Sequence, residues 1–232
     1  MVRKSKRCKQ IQDMVDTNKT YGLEEAVEVL KKVPAAKFDE SVDISIKLTV
    51  DPKKADQQVR GTVSLPHGSG KKVVLVVFAK GNKIQEALDA GADYAGAEEL
   101  IEKVKNGWTD FTAVMATPDM MREVGKLGKV LGPRGLMPSP KAGTVTNDVG
   151  RGIQEIRSGK IEFKVDKSAV INNQVAKISF SKQQILDNLN SVIQAVVRAR
   201  PSSAKGSYIK SLVISTTMGP GLSIATQSFV NA

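Results

Sequence analysis

Val73 to Phe78 read VVLVVF, a continuous apolar run near the middle of a chain of 232 residues. A strand buried on both faces has this composition, whereas a strand with one solvated face alternates apolar and polar residues. The run is followed by helical patterns and a further strand, over residues 84–88 (helix), 97–104 (helix), 112–116 (strand) and 120–127 (helix). Alternation of strands and helices predicts a parallel α/β sheet in this middle segment.

The flanking segments have a different pattern. Val42 to Val50, VDISIKLTV, alternates strictly between apolar and polar residues, and alternation returns over 160–165 and 175–180. These patterns predict half-buried strands of an antiparallel sheet. A helical stripe over 185–197 follows, with Ser181 and Gln184 as a capping box, an end near Arg198 to Pro201, and a last strand over 208–216.

Two junctions rich in glycine and serine, Leu65–Lys71 and Ser158–Lys160, separate the middle segment from the two flanking segments. We therefore predict a two-domain α/β and α+β protein. A split α+β domain with an antiparallel sheet is formed by residues 1–67 and 160–232 and contains both termini. An α/β domain, residues 68–159, is inserted into it.

The charge of the chain indicates the class of partner. Lys and Arg outnumber Asp and Glu by 35 to 24, giving a net charge of +11 and a pI near 9.7. The two end segments together carry a net charge of +9, against +2 for residues 68–159. Such a surplus is typical of proteins that bind polyanions, nucleic acid first among them. We expect the main binding surface on the split domain.

The sequence predicts neither a membrane span nor a signal peptide. No apolar run approaches the roughly 20 residues needed to cross a bilayer, and the cationic N-terminal residues lack the apolar segment of a signal peptide. The single cysteine leaves no internal disulfide. These observations predict a cytoplasmic protein with no membrane partner.

Catalytic candidates are few. Cys8 lies in a charged terminal segment, and the single histidine, His67, lies in a junction. Neither has the neighbours that a nucleophile, a general base or a zinc site requires. We predict no catalytic residue, no metal and no cofactor. The alternative is a soluble enzyme that holds a phosphate-bearing small molecule near Lys80 and Lys83, although their turn lacks the glycine fingerprints of nucleotide-binding loops. Trp108 is expected to be packed rather than to stack on a ligand.

Four stretches are candidate binding surfaces. The first, Gly128 to Thr144 (GKVLGPRGLMPSPKAGT), is a basic loop shaped by glycine and proline. In the second, Lys37 to Ser41, Phe38 could equally lie in the core or contact a base. The third, Lys160 to Lys167, could be an ordinary solvated face. In the fourth, Ser211 to Gly221, a methionine between Thr217 and Gly219 favours binding. A third class of protein, one that adheres to any polyanion, also fits the charge.

The motifs resemble those of the ribosomal protein L-one family of the large subunit. LGKVLGPRGLMPSPKAGTV, from Leu127 to Val145, is similar to the signature of that family. KFDESV, GKIEFKVDK and STTMGPG also look like motifs of that family and occur in the expected order, so the resemblance covers essentially the whole chain. The resemblance implies a Rossmann-like insert joined by a two-strand hinge. It also implies binding to the mobile stalk of 23S ribosomal RNA near the exit site, help in releasing deacylated tRNA there, and repression of its own messenger RNA. The protein is expected to be ribosome-associated in the cytoplasm and a monomer outside the ribosome.

The resemblance also assigns residues by motif. Arg134 would make an auxiliary contact from the inserted domain, and Ser41 replaces the threonine that is common in the family but keeps its hydroxyl. The expected RNA-contacting residues on the split domain are Lys37, Phe38, Ser41, Lys164, Lys167, Ser211, Thr217, Met218 and Gly219.

Overall fold

A computed structural model describes residues 6–16, 19–34, 36–204, 206–226 and 229. The chain divides into two compact units by its internal contacts. Unit 1 is made of residues 1–70 and 161–232, and unit 2 of residues 71–160.

The helices and strands follow one another along both units. The helices are α1 Lys6–Met14, α2 Leu23–Lys32, α3 Asn82–Asp89, α4 Glu98–Lys105, α5 Met121–Val124, α6 Gly128–Leu131, α7 Val149–Arg157 and α8 Lys182–Arg198. The strands are β1 Thr20–Tyr21, β2 Ser41–Leu48, β3 Arg60–Ser64, β4 Leu75–Phe78, β5 Tyr94–Gly96, β6 Ala113–Ala116, β7 Lys160–Lys164, β8 Val170–Lys177, β9 Ile209–Thr216 and β10 Leu222–Ile224.

A five-stranded sheet in the order β1-β10-β9-β2-β8 forms the centre of unit 1. The strand β2 lies between β9 and β8 and pairs antiparallel with both. Its apolar residues Val42, Ile44, Ile46 and Leu48 are buried, which confirms the alternation seen in the sequence. They share one core with α2 and α8. The opposite face of β2, from Ser41 to Lys47, is exposed or half-exposed.

The helix α8 confirms its sequence pattern in detail. The Ser181 hydroxyl accepts from the Gln184 backbone N–H, and the Gln184 side chain accepts from the Ser181 N–H. The predicted last strand is also present, as β9.

The strand predicted over 175–180 is wrong in position. The strand β8 runs from Val170 to Lys177, and residues beyond it turn away. Opposite β2, Val42 faces Ala176 while Asp43 faces Gln174, so Val175 is an extra residue. Because this bulge buries two successive residues, the true period of the strand is hidden in the sequence.

Unit 2 holds a parallel three-stranded sheet in the order β5-β4-β6. Every residue of β4 is buried, as the apolar run predicts. Val76 and Phe78 face one apolar cluster, and Leu75 and Val77 face another on the opposite side of the sheet. Both faces of this sheet are therefore covered.

The helix α7 was not predicted from the sequence. It contains Gly150 and Gly152, and glycine disfavours helix interiors. At Gly152 a Cβ would press against the Met115 side chain, so close packing on β6 accounts for this glycine. The Asp148 side chain caps the helix by accepting from the Arg151 N–H at 3.2 Å.

Candidate nucleic-acid interface

The residue that begins β2 and the residues just after β9 meet at one end of these two neighbouring strands in the unit 1 sheet. The Ser41 N–H donates to the Thr217 hydroxyl at 3.0 Å, and the Thr217 N–H donates to the Ser41 carbonyl at 3.1 Å. We call this region the strand-end surface, defined by Lys37, Phe38, Ser41, Thr217, Met218 and Gly219. Six of the nine residues predicted on the split domain are thus brought together.

Two large apolar side chains are exposed on the strand-end surface. Phe38 is 53% exposed and Met218 is 60% exposed. The question left open for Phe38 is thereby answered, because the ring does not lie in the core. Exposed rings and thioethers beside cations can pack against sugars and bases.

A buried carboxylate holds the strand-end surface in place. Glu40 is 3% exposed and accepts from Arg7 Nη2 at 2.8 Å, from the Ala36 N–H at 2.9 Å and from the Met218 N–H at 3.2 Å. Burial by itself would raise the pKa of Glu40. Hydrogen bonds from Thr216, Met218 and Ala36, together with the charge of Arg7, outweigh burial and lower this pKa below its usual value. The carboxylate therefore fixes three separate segments around the exposed side chains.

Several polar groups of the strand-end surface already have partners within the protein. The Ser41 hydroxyl lies 3.1 Å from Lys177 Nζ, which also donates to the Asp39 carbonyl at 3.2 Å. A Cβ at Gly219 would collide with the Thr216 hydroxyl. Ser41, Thr217 and Gly219 thus have structural roles that precede any contact with a ligand.

Lys177 is a residue of this surface that sequence reasoning missed. The β2–β8 register places it directly opposite Ser41, and its ammonium lies among the residues predicted to contact RNA. The sequence prediction placed this strand at the wrong residues, so the pairing of Lys177 with Ser41 was not foreseen. No local signal in the sequence identifies it.

Two other predicted residues lie at the opposite end of the same sheet. Ser211 of β9 pairs with Lys47 of β2. On the other side of β2, Lys47 pairs with Val170 of β8, and Lys167 lies in the turn just before Val170. Thr217 lies six positions after Ser211, or about 20 Å along a strand. We call Lys47, Lys167 and Ser211 the far-end cluster; all three side chains are exposed.

A polar sheet face connects the two ends. Ser45 donates to the Asn172 side chain at 2.7 Å, and Ser215 and Ser223 lie on the same face. These side chains are exposed or half-exposed. Lys164 is also exposed, but it lies on β7, which pairs with β3 in a separate two-stranded sheet. The structure does not join Lys164 to either group.

In unit 2, the predicted basic loop is partly core. Its first four residues form α6, in which Leu131 is buried, and Pro138 is buried further on. Arg134 is exposed, and its guanidinium donates to the Thr109 hydroxyl at 2.6 Å. The loop therefore presents a positioned cation from a segment that also packs against the unit.

The two lysines considered for a phosphate-binding enzyme, Lys80 and Lys83, contact other side chains of the protein. Lys80 lies 3.6 Å from Glu123 and 3.9 Å from Glu98, and Lys83 donates to the Asn147 side chain at 3.2 Å. Carboxylates beside Lys80 repel a phosphate rather than attract one.

Other candidates give no site. Cys8 is exposed, and His67 lies 3.2 Å from Asp187 at the surface. Within the described ranges no cluster of His, Cys, Asp or Glu could hold a metal ion. Among these same residues, no helix has the length and apolar character of a transmembrane span.

The exposed sheet face, the fixed exposed side chains at its end and the basic charge are the features expected of a nucleic-acid-binding protein. Comparisons with known proteins agree. A model of the ribosomal protein L1p/L10e family matches residues 30–220. The chain belongs to this family.

Curated relatives match nearly full length. The protein named large ribosomal subunit protein uL1 from Protochlamydia amoebophila is 61% identical over 97% of this chain and 95% of its own. Proteins with the same name from Chlamydia trachomatis serovar L2b and Chlamydia pneumoniae are each 54% identical over 99% of both chains.

The family resemblance seen in the motifs is thereby confirmed. A mixed α/β structure with several sheets fits the two-domain fold of the family. Membership indicates a structural ribosomal protein and not an enzyme, so the enzyme alternative has no support.

Proposed function

We propose that this chain is a ribosomal RNA-binding protein of the large subunit that binds the mobile stalk of 23S RNA through the strand-end surface. One observation carries the proposal: Phe38 and Met218 are both exposed, and they stand on two segments that Glu40 ties together by accepting from the Ala36 and Met218 N–H groups. Exposed apolar side chains held on a rigid framework suit a ligand that is read by shape.

Recognition begins with a surface that is already formed. Folded RNA is distinguished by its shape, its 2′-hydroxyls and its unstacked bases. Because Met218 and Thr217 are held by hydrogen bonds to Glu40 and Ser41, little ordering is needed when RNA binds. Lys37 and Lys177 supply positive charge for phosphates, which position the RNA without reading its sequence.

The footprint extends beyond the strand-end surface. The far-end cluster lies about 20 Å away on the same sheet, and the face between is polar. An RNA that touches both ends must present phosphates or riboses along that distance. Ser211 and Lys167 would therefore fix the position of the RNA along the sheet. The strand-end surface would have the main role in distinguishing the stalk RNA from other RNAs. Lys164 is proposed as a peripheral phosphate contact.

Further roles are proposed on the strength of the family. Unit 1 is taken as the split RNA-binding domain, predicted as residues 1–67 and 160–232, and unit 2 as a Rossmann-like insert with Arg134 as an auxiliary contact. The protein is ribosome-associated in the cytoplasm, assists release of deacylated tRNA at the exit site, represses its own messenger RNA and is a monomer outside the ribosome.

The test is binding of the full chain to a stalk RNA fragment at moderate salt, with excess unrelated structured RNA as competitor. We expect binding that survives the competitor and weakens with salt, since several lysines contact phosphates. Binding that the competitor abolishes would reduce the protein to a general polyanion binder and reject the proposal.

A further inference from the structure

A small aromatic pocket on unit 2 has no part in the function proposed above. It is lined by Tyr94, Leu100, Lys103, Asn106 and Trp108 and has a volume of about 440 Å³, within the range of small-molecule sites. We call it the Tyr94 pocket. Tyr94 lies on β5, an outer strand of the parallel sheet, and is 46% exposed.

The exposed ring of Tyr94 packs against the ring of Trp108. The Trp108 ring meets it edge-on, with the ring centroids 4.9 Å apart, and Phe111 supports Trp108 with centroids 5.3 Å apart. Phe111 is itself buried. Such edge-to-face contacts fix ring orientation, so Tyr94 presents a preformed aromatic platform.

Unused polar groups surround this platform. In the part of the chain that the structure describes, no partner is found for the Lys103 ammonium, the Asn106 carboxamide or the Trp108 indole N–H. Arg134 adds a second cation nearby, because its guanidinium is bonded to Thr109, the residue after Trp108. The pocket thus combines a ring, uncharged hydrogen-bonding groups and positive charge.

We propose that the Tyr94 pocket binds one unpaired nucleobase of RNA. The base stacks on the Tyr94 ring, Asn106 and the indole N–H bond to its edge, and Lys103 faces the adjoining phosphate. Proteins that hold single strands combine aromatic platforms with cations in this way. An apolar peptide side chain would make no hydrogen bond to any of these three groups, so a nucleobase fits this set of groups better.

Fluorescence offers a local readout, because Trp108 is the only tryptophan in the chain. The full chain is titrated with a short unstructured oligouridylate while Trp108 emission is followed, with free tryptophan amide as an absorption control. We expect saturable quenching in the wild type and in Tyr94→Phe, which keeps the ring. Tyr94→Leu keeps the bulk but should weaken binding about tenfold or more.

Charge variants separate the pocket from general attraction. Lys103→Gln should weaken binding by a few-fold, whereas Lys105→Gln, an equal charge change on the same helix but outside the pocket, should leave it unchanged. Met14→Ala, at an exposed methionine of unit 1, should also leave the quenching unchanged. Circular dichroism confirms that each variant is folded.

Three results would overturn the inference: no saturable quenching in the wild type, wild-type affinity in Tyr94→Leu, or equal losses in Lys103→Gln and Lys105→Gln. The inference does not depend on stalk recognition. Failure of stalk binding with intact quenching would reject only the function proposed above.

Discussion

The largest sheet of unit 1 and the sheet of unit 2 differ in what covers them. In unit 2, apolar clusters lie on both faces of β4, so the sheet has no free face and only its edge and its loops can meet a ligand. In unit 1, the core covers one face, and the other carries hydroxyls, amides and lysines together with Asp43 and Val213. The pairing pattern of the strands therefore decides where a large ligand can lie.

The difference also concerns rigidity at the contact point. Met218 and Phe38 stand on strand ends tied together by Glu40, whereas Arg134 reaches out from a loop and is held by one hydrogen bond to Thr109. A preformed surface loses less conformational freedom on binding. We therefore rank unit 1 above unit 2 in its contribution to RNA affinity, and four predictions test this ranking.

The largest effect is expected for Glu40→Gln. A neutral amide weakens the bond to Arg7 and cannot accept from both backbone N–H groups equally well, so the free energy of unfolding should fall by about 1–3 kcal/mol. Stalk RNA affinity should fall with it. Urea denaturation measures the free energy of unfolding, and filter binding measures the RNA affinity. The control is Glu99→Gln, at an exposed glutamate in unit 2.

The same variant has a pH signature. The pKa of folded Glu40 lies below its usual value of 4.5, so its ionised form stabilises the fold fully above that pH. This contribution is lost as the pH falls through the lowered pKa. Glu40→Gln should therefore be less sensitive to pH than the wild type below 4.5. An unchanged pH dependence would show that Glu40 does not stabilise the surface.

Next in size is Thr217→Val, for which we expect about a tenfold or greater loss of RNA affinity without unfolding. The substitution removes the acceptor of the Ser41 N–H and the hydroxyl that we propose contacts RNA. Thr217→Ser retains both and is the matched control. Wild-type affinity in a folded Thr217→Val protein would count against the strand-end surface.

A smaller effect is expected for Arg134→Ala. One phosphate contact from unit 2 should contribute a few-fold in affinity and reduce the slope of log affinity against log salt by about one. Binding measured over a salt series gives both quantities. A loss larger than that of Thr217→Val would reverse our ranking of the two units.

An effect of similar size is expected when residues 71–160, which include Arg134, are replaced by a short flexible linker. Unit 1 has its own apolar core, so it should fold and keep most of the stalk affinity, within about fivefold of the full chain. Isothermal calorimetry compares the two proteins. A folded deletion protein that no longer binds would place the main site in unit 2.

Sequence patterns predicted the parts of the fold that are long and strictly periodic. The strands β2 and β4 and the helix α8 follow their periods closely. The helix α7 escaped because of its glycines, and β8 was misplaced because a bulge breaks its alternation. Two short strands, β1 and β10, give too few residues for a period to be seen.

The exposure of Met218 was predictable from the sequence, but the contacts that hold it in place were not. An exposed methionine at a strand end could be inferred from its neighbours, and Met218 is exposed. The bond from Met218 to Glu40 joins residues 178 positions apart, and Lys177 reaches Ser41 only through the register of β2 and β8. Such contacts depend on how distant segments pair, which local patterns do not encode.

The central claim is tested most directly by comparing two methionines with the same exposure. Met14 and Met218 are each 60% exposed in unit 1, but only Met218 lies on the strand-end surface. Affinity for the stalk RNA fragment is measured for Met218→Ala and Met14→Ala under competitor RNA. We predict a loss of about tenfold for Met218→Ala and none for Met14→Ala; equal affinities in the two folded variants would contradict the account.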